Sequence, residues 1–70
     1  MELLPITTEF IKLDAALKFA NLVGSGGEAK NLIADGYVLV NNEPCTMRGK
    51  KLRPGDTFEL AGTKIQITAE

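Results

Sequence analysis

Four of the eight basic residues in this 70-residue chain fall within six positions: Arg48, Lys50, Lys51 and Arg53, in the stretch RGKKLR. Such a run can hold several phosphates at once, because each ammonium or guanidinium that meets a phosphate displaces a condensed counterion. A charge run of this length is also what a solvated loop looks like. A second candidate lies upstream, where Ser25, Gly26, Gly27 and Glu28 read SGGE. The spacing fits a capping box, with the Ser25 hydroxyl taking the Glu28 amide and Glu28 reaching back to the Ser25 amide. The amides of Gly26 and Gly27 then stand at a helix N-terminus, where the dipole favours an anion and no side chain obstructs it. Lys30 is one turn further on, within reach of the same anion. Glu28 places a negative charge in the same spot, so a plain turn explains these residues equally well. Asn31 falls on the exposed side of that helix, where its amide can hydrogen-bond a partner or water alone.

Other chemistries lack their residues. The chain has no histidine and one cysteine, Cys45, so neither an intramolecular disulfide nor a Cys/His zinc site can be assembled. With no histidine to activate it, Cys45 reads as a small buried apolar residue rather than a nucleophile. No Walker loop is present, and no paired acids stand at a useful spacing. A core built from so short a chain leaves little room for a substrate pocket of the usual ~300–1,000 Å³. No enzyme, cofactor or small-molecule substrate is expected. No stretch approaches the roughly 20 apolar residues of a membrane span. The opening MELLPITTEF carries no basic run of the kind a signal peptide needs. The expectation is a cytoplasmic monomer with no membrane contact.

The formal net charge of −1 argues against a nucleic-acid partner, but its distribution does not. Residues 12–53 hold Lys12, Lys18, Lys30 and the four cations of the run against Asp14, Glu28, Asp35 and Glu43. The flanks hold Glu2, Glu9, Asp56, Glu59 and Glu70 against Lys64. The pattern predicts one basic side and one acidic side.

These residues need elements to position them. Thr7 to Leu13 reads as a short strand, and Asp14 as the N-cap of a helix with Ala16, Phe19, Ala20 and Val23 on its inner face. Lys18 points the other way. Gly24 is the expected left-handed residue after that helix. The second helix opens at Ser25, buries Ala29, Leu32 and Ile33, and ends at Asp35-Gly36. From there the apolar period changes from 3.6 to 2. Val38 and Val40 share one face of a strand, and Asn41-Asn42 forms a hairpin turn. Glu43 to Thr46 returns as an edge, because Pro44 cannot serve in a central strand. MRGKKLR is a loop, and Pro54-Gly55 suits the centre of a type II turn. TFEL and KIQIT are strands joined at Ala61-Gly62, with Phe58, Leu60, Ile65 and Ile67 inward. Tyr37 is expected to be partly buried beside the hairpin. The reading is one α+β domain over residues 1–70, with two helices on one face of a small, mostly antiparallel sheet, in the order β-α-α-β-β-β-β.

Four ordered signatures carry a family likeness: KLD at the first helix, GSGGEAKNLI at the second, DGYVLVNNE into the hairpin, and KKLRPGDTFEL after the basic run. From about Ile11 to Leu60 the chain resembles the RNA-binding domain named after ribosomal small-subunit protein four, the alpha-L RNA-binding motif. It is most similar to the small stand-alone bacterial members. The resemblance implies two helices across a small sheet and a helical face that, with neighbouring loops, binds structured RNA, ribosomal or transfer RNA, without catalysis. It also brings in Lys12, where the family often has arginine opening the first helix. Lysine keeps the charge but not the bidentate fork. Gly26 stands where the family often has a second arginine, and Asn42 where it has the hairpin glycine. The RNA-contacting set expected from both lines is Lys12, Lys18, Ser25, Gly26, Gly27, Lys30, Asn31, Arg48, Lys50, Lys51 and Arg53. Two other readings compete. The acidic flanks and low net charge suit a protein-interaction adaptor using the same basic patch. GSGG also satisfies the GxxG of single-strand-binding KH domains, although four successive strands after the second helix fit that fold poorly.

Overall fold

In the computed structural model, which describes residues 1–70, the chain is already extended at its second residue. Strand β1 (Glu2–Ile6) buries Leu4 and Ile6 and exposes Glu2, Leu3 and Pro5, the alternation of a half-buried strand. The sequence reading begins its first strand at Thr7 and has no strand here. The structure accommodates Pro5 because β1 is an edge strand with a neighbour on one side only, β7 (Thr63–Ala69), to which it runs parallel. The strand expected over residues 7–13 contracts to β2 (Ile11–Lys12).

Helix α1 (Leu13–Phe19) follows without a break, and Lys12, not Asp14, is its N-cap. The Lys12 side chain cannot accept the orphan amides of the first turn. Two carbonyls from the basic run accept them instead: Leu13 N–H donates to Lys50 O at 2.8 Å and Asp14 N–H to Arg48 O at 3.1 Å. A tertiary contact has replaced a local cap, so the helix starts earlier than its capping residue suggests.

The helix also ends earlier than expected. Its C-cap is Ala20, and Asn21 takes the left-handed conformation at φ 62°, with Asn21 N–H donating to Lys18 O and Leu22 N–H to Leu17 O. That pair of bonds is a Schellman ending with asparagine where glycine is usual. Gly24 is therefore not at positive φ. Phe19, expected inside, is 65% exposed, whereas Leu13, Ala16 and Leu17 are fully buried. Val23 is buried from the connection rather than from the helix.

Helix α2 (Gly26–Ala34) is capped as the sequence suggests, Ser25 Oγ accepting from Glu28 N–H at 3.2 Å. Glu28 reaches back one residue further than expected, its Oε1 accepting from Gly24 N–H at 2.7 Å. The same Schellman ending closes α2, with Gly36 at φ 82° and Tyr37 N–H donating to Leu32 O.

Beyond Gly36 the sheet is built by hairpins. Strand β3 (Val38–Val40) pairs with β4 (Glu43–Pro44) across Asn41-Asn42, both at positive φ as the tight hairpin turn requires. Strand β6 (Thr57–Leu60) pairs with β3 on one side and with β7 on the other, and both residues of the Ala61-Gly62 turn likewise have positive φ. The five-stranded order is β1-β7-β6-β3-β4. The basic stretch is not wholly a loop, because Lys51–Leu52 forms β5, which pairs with β2 as a separate two-stranded sheet.

Helices α1 and α2 pack together and against the sheet around one core of 15 buried residues, all apolar. Phe58, Leu13, Leu17, Ile33, Leu52, Ile67 and Val38 are its largest fully buried members. Leu52 ties the small ladder into this core, which fixes the residues on either side of it. Tyr37, expected to be partly buried, is 64% exposed, and Cys45 is only half-buried, its thiol 3.8 Å from Met47 O.

Candidate nucleic-acid interface

The β2–β5 ladder places its two residue pairs in opposite environments. Ile11 faces Leu52 and Lys12 faces Lys51. Directly opposed residues of an antiparallel pair have Cβ atoms about 4.5–5.5 Å apart, and like charges there are destabilising. Two exposed lysines held so close concentrate positive potential at one spot. Arg48 and Lys50 join them, because their carbonyls are hydrogen-bonded to the first amides of α1. Arg53 follows on the other side of Leu52. Arg53 N–H donates to Asp56 Oδ2 at 2.8 Å, and Asp56 N–H returns to Arg53 O at 2.9 Å, closing the Pro54-Gly55 turn with Gly55 at φ 101°. Asn41 braces that turn from the hairpin, its Oδ1 accepting from Thr57 N–H at 3.0 Å and its amide donating to Asp56 Oδ1 at 3.3 Å.

The backbone carrying the five cations is thus pinned at both ends, while their side chains reach into solvent. All five residues are exposed. None of their side-chain nitrogens donates a hydrogen bond; Lys64 is the basic residue that does, to Asn42 Oδ1 at 2.7 Å.

Phe10 is the member that sequence reasoning missed. Its half-buried ring lies under Lys51 Nζ, 4.9 Å from the centroid, and under the Arg53 guanidinium, 5.9 Å away. A cation over an aromatic face at exposed sites is worth about 0.5–1 kcal/mol. The ring therefore offsets part of the repulsion among the lysines and orders two of the side chains. Its only sequence signal is adjacency to Ile11. That signal becomes readable once the Ile11–Leu52 register is known.

The remaining expected residues lie elsewhere. Ser25, Gly26 and Gly27 sit at the N-terminus of α2, and the short connection from α1 puts them at the opposite end of α1 from the ladder. With α1 only seven residues long, the separation along its axis is about 10 Å at 1.5 Å per residue. A Cβ at Gly26 would meet nothing within 4 Å, and one at Gly27 only the Ser25 hydroxyl at 3.9 Å. Neither has positive φ. Packing does not demand glycine at either position. Lys30 and Asn31 are exposed on α2, and Lys18 is exposed in the last turn of α1. The expected RNA-contacting cations group as one cluster of five plus two outliers, Lys18 and Lys30, with Lys64 bonded to Asn42 apart from them. No group of three or more His, Cys, Asp or Glu side chains is placed to hold a metal ion, and no helix is long and apolar enough to cross a membrane.

A two-helix layer on a mixed sheet, with a basic ladder held against the start of the first helix, is the architecture that the resemblance to the alpha-L RNA-binding motif implies. The S4 domain model matches residues 4–68, and the chain belongs to that family. Among characterised relatives it is similar to the probable ribosome maturation protein RlbA of Bacillus subtilis (strain 168). The two are 47% identical over 57 residues, which cover 81% of this chain and 80% of that protein.

Proposed function

We propose that this protein binds folded ribosomal RNA through the cluster of Lys12, Arg48, Lys50, Lys51 and Arg53, and that it acts on or with the ribosome. The observation that carries the reading is the direct opposition of Lys12 and Lys51 on a ladder whose backbone is fixed on both sides. A fold that holds like charges together without a neutralising hydrogen bond is set up to receive an anion, and RNA phosphates are spaced to meet several such charges at once. Membership of the S4 domain family supports RNA as the anion, and the relative named for ribosome maturation supports ribosomal RNA among RNAs. Phosphate contacts of this kind position a protein on RNA by shape and backbone rather than by base sequence. Lys18, Lys30, Asn31 and the amides of Gly26 and Gly27 make further contacts at the other end of α1. The protein works as a monomer.

Purification from a lysate with and without ribonuclease tests the reading against a protein-adaptor role. The expected result is recovery of ribosomal RNA with the parent, its loss with Lys50→Glu plus Lys51→Glu, and loss of accompanying proteins after ribonuclease. Protein partners that survive ribonuclease with the RNA absent would replace this function by the adaptor.

A further inference from the structure

A shallow cleft beside α1 is lined mostly by apolar side chains that phosphate binding does not use. Ile11, Ala15, Lys18 and Phe19 line it. Ala15 and Phe19 are four residues apart and so share one face of the helix. Phe19 is 65% exposed, and Ile11 is half-buried. This apolar strip has a defined position. Ile11 starts it on the β2–β5 ladder, next to the Lys12–Lys51 pair. Phe19 finishes it as the last residue of α1, six positions before the Ser25 cap of α2. A flat apolar surface with one lysine therefore runs between the main cationic cluster and the glycine-opened start of the second helix.

Cations at one end, at Lys12 and Lys51, and a further cation, Lys18, beside an exposed aromatic face match the chemistry of an unpaired nucleotide. Its phosphates take the cations, and its unstacked base takes the ring. A paired helix offers no such match, because its bases are stacked on one another and present only edges and backbone.

We infer that the cleft receives the base of one unpaired nucleotide in a folded RNA, stacked on Phe19, with Lys18 on an adjoining phosphate. The inference rests on the RNA-binding function proposed above. It divides the labour within the surface. The cluster of five cations gives affinity for folded RNA in general, and the cleft gives preference for RNA that carries a bulged or looped-out base beside the helix. A second copy of this chain is the other occupant that could cover Phe19, and the experiment separates it.

The probes are two fluorescein-labelled RNA hairpins with one stem sequence, one fully paired and one carrying a single bulged 2-aminopurine. Binding is followed by anisotropy for the parent, Phe19→Ala, Phe19→Leu, Phe19→Tyr and the Lys50→Glu plus Lys51→Glu variant. The parent should prefer the bulged hairpin and change its 2-aminopurine emission. Phe19→Ala should weaken the bulged hairpin by roughly 5- to 100-fold, the size of one base–aromatic stack, and the paired hairpin by less than about twofold. Phe19→Tyr should keep the preference. Phe19→Leu, which retains apolar bulk without a flat face, should lose it even if Phe19→Ala proves unstable. Equal weakening of both hairpins, or of neither, overturns the assignment. So does a parent that sediments as a dimer and becomes monomeric on Phe19→Ala with bulge binding intact. A parent that binds both hairpins equally, in a manner dependent on Lys50 and Lys51, removes the cleft and leaves the proposed function standing. A parent that binds neither removes both.

Discussion

Under the proposed function, Phe10 joins packing and recognition in a single side chain. Its ring holds Lys51 and Arg53 within cation–π distance, so the two cations are partly ordered before any RNA arrives. Ordering a long side chain in advance lowers the entropy lost on binding, which is about 0.5–1.5 kcal/mol for each side chain immobilised. Phe10→Leu keeps the apolar volume and removes the aromatic face. It is expected to weaken RNA binding by about three- to tenfold, which corresponds to losing one or two such contacts. Phe10→Tyr is expected to bind as the parent does. Filter binding checks both, with circular dichroism confirming that each variant folds. Equal affinity for Phe10→Leu and the parent would show that the ring contributes packing only.

At the scale of elements, the proposed function has the β2–β5 ladder trade stability for RNA binding. Lys12 and Lys51 repel across the pair, and Lys12 also stands at the positive end of α1. Lys12→Glu turns the repulsion into attraction and places a negative charge at the helix N-terminus. The two effects together should stabilise the fold by about 0.5–1.5 kcal/mol. The same change should weaken RNA binding, and a variant that is more stable in chemical denaturation yet binds RNA less well is the expected outcome. The end of α1 makes a separate test. Asn21→Val forces a β-branched residue into a left-handed position and should cost about 1–2 kcal/mol. Gly24→Ala should cost less than about 0.5 kcal/mol, because Gly24 has ordinary φ and its added Cβ would rest 3.9 Å from Glu28 Oε1. Thermal unfolding of the two variants should rank them in that order.

These elements also mark what was legible in the sequence. The Ser25 cap, the Asn41-Asn42, Pro54-Gly55 and Ala61-Gly62 turns, and the inward set Val38, Val40, Phe58, Leu60, Ile65 and Ile67 are local patterns, and each is present. The misreadings share one cause, which is contact between distant residues. Strand β1 exists because β7 lies beside it, and α1 begins at Leu13 because Lys50 and Arg48 supply carbonyls. Lys51–Leu52 is a strand because Ile11–Lys12 pairs with it. The end of α1 is the exception. The sequence points to Gly24 because glycine is the commoner left-handed residue, although asparagine, which takes the position at Asn21, tolerates that conformation. Within the candidate interface the cations were visible as a run, but their arrangement around Phe10 depends on the same unseen register.

Over the whole molecule, the basic residues are unevenly spread, four of the eight falling within positions 48–53. Of the acidic residues outside positions 12–53, Glu2 is on β1, Glu59 on β6 and Glu70 after β7, whereas Asp56, hydrogen-bonded to Arg53 N–H, and Glu9, next to Phe10, adjoin the cation cluster. A molecule with net charge −1 can therefore still present a concentrated positive face. If that face binds phosphates, affinity must depend on salt in proportion to the number of phosphates met. The most direct measurement is the affinity for ribosomal RNA fragments across a range of monovalent salt concentrations, for the parent and for Lys50→Glu plus Lys51→Glu. With three to five of the cations engaged, the parent's log–log slope should be roughly −2 to −4 at about 0.7–0.9 per phosphate. The double variant should fall by about two phosphate contacts in slope and bind far more weakly, with thermal stability little changed because exposed charges contribute little to folding. A parent affinity that ignores salt, or a double variant with the parent's slope and affinity, would contradict the assignment of this face to RNA.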